Sequence, residues 1–462
     1  MNTTTRRNLL KTSALLGMGA FVLPRFSIAQ SGPAASKRVN LAFVGCGGIA
    51  LTYIGQKDVN VVAMCDVDSK TITKTKAEFP HLAAVREFSD FRVMLDKMAA
   101  DIDIVVVSTP DHSHFAVTLE AMQRGKHVFT QKPLTHDIWQ ARTLVKAAEK
   151  YKVHTVMGNQ GHTSDGIRQM REWYEAGLVG QVKTVNAWFP GGAGRRLSNF
   201  FPPPAQPVPE NLNWDAWVGP ASETPYNIAY APFNWRQFTK FGSGKLGDWF
   251  CHICDGPVWI LDLYEPTVIE AVKIEEPAEG YFPGGSIIKW EFPARGNKVP
   301  CTLSWDDGKN QPEVPADYTL SAKNENGKKA TKDFGSFWQG GKDSYFLDNR
   351  SSNPRLCNRG KMIEIKKSNA FPAEKYPRVA KGGPLLELIR AVSGAGPAPG
   401  SSFDYSARLT EVGCLGMLAQ RFGGRIEWDS KNMKITNRPE LNAYIKQPVR
   451  KGWEYGDDLW QA

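Results

Sequence analysis

Short apolar runs at 39–44, 61–65, 102–108, 127–131 and 154–157, rich in Val and Ile, alternate with amphipathic stretches between residues 38 and 158. A run that is apolar throughout marks a strand buried on both faces. The intervening stretches, such as 113–124 stopped by Gly125 and 138–151, carry helical spacing. Strand and helix alternating in this way predict an α/β fold with a doubly wound parallel sheet over residues 37–160. Beyond Gly158 the pattern changes. A helix at 164–176 and a strand at 182–188 lead into an irregular region, 190–242, dense in Pro, Gly, Asn and aromatics. Runs at 268–274, 286–292, 299–305, 318–321 and 362–365 read as antiparallel strands with polar turns such as Lys323-Asn324-Glu325-Asn326-Gly327. Helices at 384–392 and 405–420 follow, so residues 161–462 are expected to form an α+β domain. The aromatics of the irregular region, among them Trp214, Trp217, Tyr226, Tyr230, Phe233, Trp235 and Phe238, suit either sugar rings or a packing contact.

The first 29 residues stand apart. Thr5-Arg6-Arg7-Asn8-Leu9-Leu10-Lys11, a weakly apolar stretch to Leu23, Arg25 and the small-residue site Ser27-Ile28-Ala29 read as a Tat export signal over residues 1–29. Its apolar part is too short to span a bilayer, so no stable membrane anchor is expected. A Tat translocase partner and a periplasmic or extracytoplasmic location follow from this reading. Removing the signal takes away four bases and no acid, lowering the formal charge from +10 to +6. The remaining charges alternate in sign, which points away from nucleic acid. Of the seven cysteines, Cys251 and Cys254 form half a zinc-site spacing with no second half, so no metal is expected. An oxidising compartment permits a Cys301–Cys357 disulfide.

The first strand runs straight into Gly45-Cys46-Gly47-Gly48-Ile49-Ala50. In such a GxGxxA fingerprint the first glycine makes the tight turn and the second admits a pyrophosphate to the backbone, while the small Ala50 lets helix and strand pack closely. Asp66 closes the second strand, where a carboxylate accepts the adenosine ribose hydroxyls and repels a 2′-phosphate, favouring NAD over NADP. Thr109-Pro110 and Gln131-Lys132-Pro133 end the next strands, at the sheet edge where ligands bind. Pro133 holds Lys132 extended and allows a cis bond. Because Tat carries folded proteins, a dinucleotide-binding protein exported this way leaves with its cofactor tightly held.

Taken in order, Gly45 to Ala50, Asp66, Thr109-Pro110, Lys132-Pro133 and Asp248-Trp249-Phe250-Cys251-His252 resemble the glucose-fructose oxidoreductase and inositol dehydrogenase family, Gfo/Idh/MocA. Asn213-Trp214-Asp215-Ala216-Trp217-Val218-Gly219-Pro220 and Arg450-Lys451-Gly452-Trp453 resemble its Tat-exported bacterial branch. The resemblance implies an open, mainly antiparallel second sheet covering the nicotinamide, and self-association through its exposed face. It puts the catalytic lysine at Lys132 and its paired aspartate and histidine at Asp248 and His252. Cofactor contacts then fall on Gly45, Gly47, Gly48, Ile49, Ala50, Asp66, Thr109, Pro110, His114, Gln131 and Lys132. Candidate substrate contacts are Asn159, His162, Trp235 and Arg236.

Spacing of i to i+4 puts Asp248 and His252 on one helix face, with Gly256-Pro257 expected to end or kink that helix. His252 then suits the proton-acceptor role, Asp248 the role of holding its tautomer or binding a second hydroxyl, and Lys132 that of stabilising an alkoxide. The family usually has Glu before Lys-Pro. Here Gln131 stands, a neutral amide that cannot neutralise the ammonium beside it. The implied activity is NAD(P)-dependent oxidation or reduction of a carbohydrate or cyclic polyol. A redox-neutral glycosidase working by oxidation, elimination and reduction, and a non-catalytic sugar-binding protein, stay open.

Overall fold

The computed structural model describes residues 38–56, 59–191, 201–313, 334–380 and 382–461. The expected export signal of residues 1–29, the run 318–321 and the turn at 323–327 lie outside the described residues. Six parallel strands form the first sheet: β1 (Asn40–Val44), β2 (Asn60–Cys65), β3 (Arg86–Phe88), β4 (Ile104–Val107), β5 (His127–Thr130) and β6 (Thr155–Met157), in the order β3-β2-β1-β4-β5-β6. The order reverses beside β1, which opens a crevice at the strand ends between β1 and β4. All five apolar runs begin and end within a residue or two of one of these strands. The three-residue β3 was not foreseen, because its exposed Arg86 and Glu87 give no apolar signal.

The second sheet has nine strands: β7 (Val182–Trp188), β8 (Val268–Glu275), β9 (Gly285–Phe292), β10 (Cys301–Asp306), β11 (Gly335–Gly340), β12 (Ser344–Asp348), β13 (Arg355–Leu356), β14 (Gly424–Asp429) and β15 (Lys434–Ile435). Their order is β13-β12-β11-β7-β10-β9-β8-β14-β15, antiparallel except where β7 meets β10. The long helix Phe403–Phe422 packs across this sheet, over Trp290, whose Nε1 donates to Val412 O at 3.0 Å. The same helix contacts the Ile138–Tyr151 helix of the first sheet and the Gly244–Ile253 helix, so one core serves both sheets.

One predicted strand is a helix. Residues 362–365 lie within Arg359–Lys367, capped by Asn358, whose side chain accepts from Lys361 N at 3.0 Å. Met362 and Ile365 pack on the core while Ile363 is exposed, so the apolar spacing there is three, not two. No disulfide joins Cys301 to Cys357. Among the described residues no helix is long and apolar enough to cross a membrane.

The helix Gly244–Ile253 stops before Gly256, and Pro257 falls in the first turn of the next helix, Asp255–Leu261, where its missing N–H costs nothing. Much of the aromatic region packs on itself. Trp217, Tyr230, Phe238 and Phe241 are buried with Tyr281, while Tyr226, Phe233 and Trp235 reach the crevice.

Trp290 is fully buried between the sheet and its covering helix. Trp290→Ala is expected to lower unfolding free energy by about 3–5 kcal/mol, the usual cost of emptying an aromatic site. Urea denaturation checks this, and a loss below about 1 kcal/mol would contradict the role given to this contact.

Candidate active site

A cleft of about 960 Å³ runs from the glycine turn to the Gly244–Ile253 helix. At one end Gly45 has φ +83°, and a Cβ there would lie 2.5 Å from Ser108 O, so only glycine fits between β1 and β4. Gly47, Gly48 and the exposed Ile49 line the cleft, while Ala50 is buried against the first sheet. Asp66 accepts Cys46 N and Asp68 N, each at 2.9 Å, tying the glycine turn to the end of β2. Burial pushes its carboxyl up, against the pull of those two amides. Each carboxylate oxygen keeps a second lone pair, and the residue lines the cleft. These features fit a dinucleotide: a turn with no side chain in the way, and an acceptor where a ribose belongs.

Thr109, Pro110, His114, Gln131 and Lys132 all line the cleft. Thr109 Oγ1 and Gln131 Nε2 are buried with no hydrogen-bond partner among the described residues, two polar atoms left for a ligand. His114 is a brace: its ring nitrogens lie 2.8 Å from Pro133 O and 2.9 Å from Thr109 O, joining the ends of β4 and β5. The Lys132–Pro133 bond is cis.

Lys132 Nζ donates to Asp248 O at 2.7 Å and Asp248 Oδ1 at 2.6 Å. The neutral Gln131 therefore leaves no lone ammonium; Asp248 supplies the negative charge across the seam between the sheets. Burial alone would raise the Asp248 carboxyl, but Lys132, Arg236 and Lys245 outweigh it and hold the group well below the usual carboxylate range. Arg236 Nε lies 3.6 Å from Asp248 Oδ1 and its Nη1 donates to both oxygens of buried Asp111 at 3.1 Å. Ser243 also donates to Asp111. Trp235 lies under the Arg236 guanidinium, 4.3 Å from carbon to ring centre, and both line the cleft.

His252 sits one turn beyond Asp248 on the Gly244–Ile253 helix and lines the same cleft. No hydrogen bond joins the two, so Asp248 does not hold the imidazole tautomer as expected; it is committed to Lys132. His252 Nδ1 is buried with no partner among the described residues. Burial, then the charges of Lys132 and Arg350, depress its basicity well below the ordinary histidine value, against the pull of Asp248. The neutral form of the ring is thereby favoured.

Two expected substrate residues lie elsewhere. Asn159 is fully buried and accepts from Ser401, while His162 Nδ1 is 2.9 Å from Asp255 Oδ1 and its ring packs on Tyr405 and Trp259. Neither lines the cleft. The turn Gln160–Thr163 folds back onto the helix Asp255–Leu261, seated by Gly161, which lies against Arg350 O with no room for a side chain. Gln160, between them in sequence, lines the cleft instead. Asp111, Trp249 and Arg350 were not foreseen. Asp111 stood beside Thr109-Pro110 in the sequence, but nothing local marked it as Arg236's partner.

Residues 39–159 match the NAD-binding Rossmann-fold model of the Gfo/Idh/MocA oxidoreductases, and residues 200–281 match that family's C-terminal alpha/beta model. These two matches support a likeness to the Gfo/Idh/MocA oxidoreductases over the residues they cover. An inositol 2-dehydrogenase/D-chiro-inositol 3-dehydrogenase of Lacticaseibacillus casei is 28% identical over 155 residues, 32% of this chain and 44% of that protein. A glycosyl hydrolase family 109 protein of Solibacter usitatus is 28% identical over 196 residues, 39% of this chain and 45% of that protein. Each alignment thus spans less than half of the relative. The aldose-aldose oxidoreductase of Caulobacter crescentus, complexed with glycerol, shares the fold at TM-score 0.56 and 15% identity, covering 85% of this chain and 100% of that one. The WlbA dehydrogenase of Bordetella pertussis, in complex with NADH and UDP-GlcNAcA, does so at TM-score 0.55 and 14% identity, covering 85% and 99%.

The His252 environment gives a testable titration. Because its neutral form is favoured, the imidazole should stay unprotonated as pH falls through 6.5, and any activity that needs it neutral should persist on the acid side of that value. Histidine NMR of the labelled protein checks this; protonation of His252 near 6.5 would contradict it.

Proposed function

We propose that this protein is an exported, NAD-dependent oxidoreductase that acts on a carbohydrate or cyclic polyol. The observation that carries it is the grouping, in one cleft, of a dinucleotide-type glycine turn, the Lys132–Asp248 pair and the neutral His252. Gly45, Gly47, Gly48, Asp66, Thr109 and Gln131 are the residues to hold the cofactor, and Asp66 favours NAD. A nicotinamide bound there supplies the two-electron hydride acceptor or donor.

The chain's own residues handle the proton and the oxygen. His252, with an unpartnered ring nitrogen, takes the proton from a substrate hydroxyl. Lys132 spends two of its three N–H donors on Asp248, leaving the third for the oxygen that becomes negative as the C–H bond breaks. Trp235 offers a sugar ring an aromatic face.

Retention of the cofactor is supported at the cleft's other end. Segment 211–213 closes over the end of β2: Ser69 N donates to Asn211 O at 3.0 Å, Asn213 N to Val67 O at 2.8 Å, and Asn211 Nδ2 to Asp68 Oδ1 at 2.7 Å. Trp453, from the tail, lines the same end. An enclosed cofactor suits a protein that the twin-arginine leader would export already folded. Retention also suits the second reading, a redox-neutral glycosidase, favoured by the likeness to the family 109 glycosyl hydrolase.

Two experiments test this assignment. Asp66→Ala is expected to weaken NAD more than NADP in equilibrium binding; an unchanged preference would show that Asp66 does not read the ribose. Lys132→Met and His252→Asn are each expected to lose about 10²–10⁴-fold in turnover on a sugar found by screening hexoses, uronic acids, inositols and glycosides. Both should keep bound NAD and a single cooperative unfolding transition, near the wild-type temperature for His252→Asn and lower for Lys132→Met, which leaves Asp248 without its partner. Near-normal turnover in either variant would refute its role.

A further inference from the structure

Among the described residues the cations around His252 outnumber the acids, and one of them is unmatched. Lys132 and Lys245 pair with Asp248, and Arg236 pairs with Asp111 and Asp248. The Arg350 guanidinium lines the same cleft and makes no hydrogen bond or ion pair among the described residues. Nor is it on a loose loop. Asp348 accepts Arg350 N at 3.3 Å, Ser352 N at 2.7 Å and the Ser352 hydroxyl, closing the turn that follows β12. Ser351, fully buried with φ 53°, donates to His252 O at 3.0 Å and accepts from Gly256 N at 3.1 Å. The turn that carries Arg350 is therefore bonded directly to the backbone of His252. On its other side the Arg350 carbonyl presses against Gly161.

A guanidinium held on a braced turn, facing a cleft and lacking a carboxylate among the described residues, is built to receive one from outside. Its planar fork can hold a carboxylate through two parallel N–H···O bonds.

We propose that Arg350 recognises a carboxylate on the substrate, so that the sugar taken by this cleft is a uronate or a related sugar acid. This rests on the sugar-oxidoreductase reading of the same cleft and narrows it. Arg350 is a specificity residue: it grips the acid group while Lys132 and His252 act at the hydroxyl-bearing carbon.

The test uses the NAD-loaded mature protein with glucuronate and galacturonate against glucose and galactose, and glucose 6-phosphate as the phosphate arm. Reduction of an added dye that reoxidises the bound NADH gives kcat/KM and calorimetry gives affinity. The wild type is expected to prefer a uronate over its neutral partner by roughly 10- to 100-fold, the scale of a charged hydrogen bond. Arg350→Met should bring that ratio close to one, mainly through KM, and Arg350→Lys should restore part of it. Equal kcat/KM within each pair, or an undiminished ratio in Arg350→Met, overturns the proposal and leaves sugar oxidation standing. Preference for the 6-phosphate over both overturns the carboxylate assignment. If no sugar turns over, the oxidoreductase reading fails and calorimetry decides this proposal separately. Uronate affinity lost in Arg350→Met then supports the anion site, and no uronate affinity in the wild type overturns it.

Discussion

The contact on which the site depends is the ion pair between Lys132, at the end of a strand of the parallel sheet, and Asp248, on a helix that lies against the second sheet. Such a pair is poor evidence for stability, since desolvating two charges offsets most of their attraction. Its value is positional. Removing one member strands the other, at a typical cost of about 3–5 kcal/mol, so the two elements are held in one register whenever both charges are present. His252, one turn along the same helix, inherits that position. Three cations surround Asp248, which keeps it ionised and commits it to Lys132; burial first, and then the same positive field, favour the neutral form of His252.

The second sheet therefore does more than cover the first. It supplies the helix with Asp248 and His252, the turn with Arg350, and, through the aromatic region, Trp235 and Arg236. Self-packing of Trp217, Tyr230, Phe238 and Phe241 gives that region a core of its own. It can thus hold segment 211–213 against the end of β2 without belonging to either sheet.

Most of the parallel sheet was legible because its central strands are buried on both faces, and a short continuous Val/Ile run suits a strand in that setting better than a helix. The edge was not: β3 is short and exposed. In the second sheet β7 to β10 carry recognisable patterns, whereas β13 and β15 have two residues each and owe their existence to neighbours. At 362–365 a capping Asn358 and apolar spacing of three overrode the β-branched look of the run. The site was legible where chemistry is tied to local form, at Gly45, Asp66 and Lys132. It was not where it depends on contacts between distant segments. His162 looked like a ligand and is a core residue, because the turn before it bends toward Asp255. Arg350 looked like one charge among many, and only the bonds from Ser351 to the helix of His252 place it in the cleft.

The most direct measurement is isotope transfer. The purified protein with its own nicotinamide is mixed with sugars deuterated at their carbinol positions, and the cofactor is recovered for mass spectrometry. Deuterium on the nicotinamide from at least one sugar, absent in Lys132→Met, is the result expected of a cleft that binds a hydroxyl-bearing carbon between Lys132 and His252 and oxidises it. A nicotinamide that stays unlabelled with every sugar that binds would contradict it.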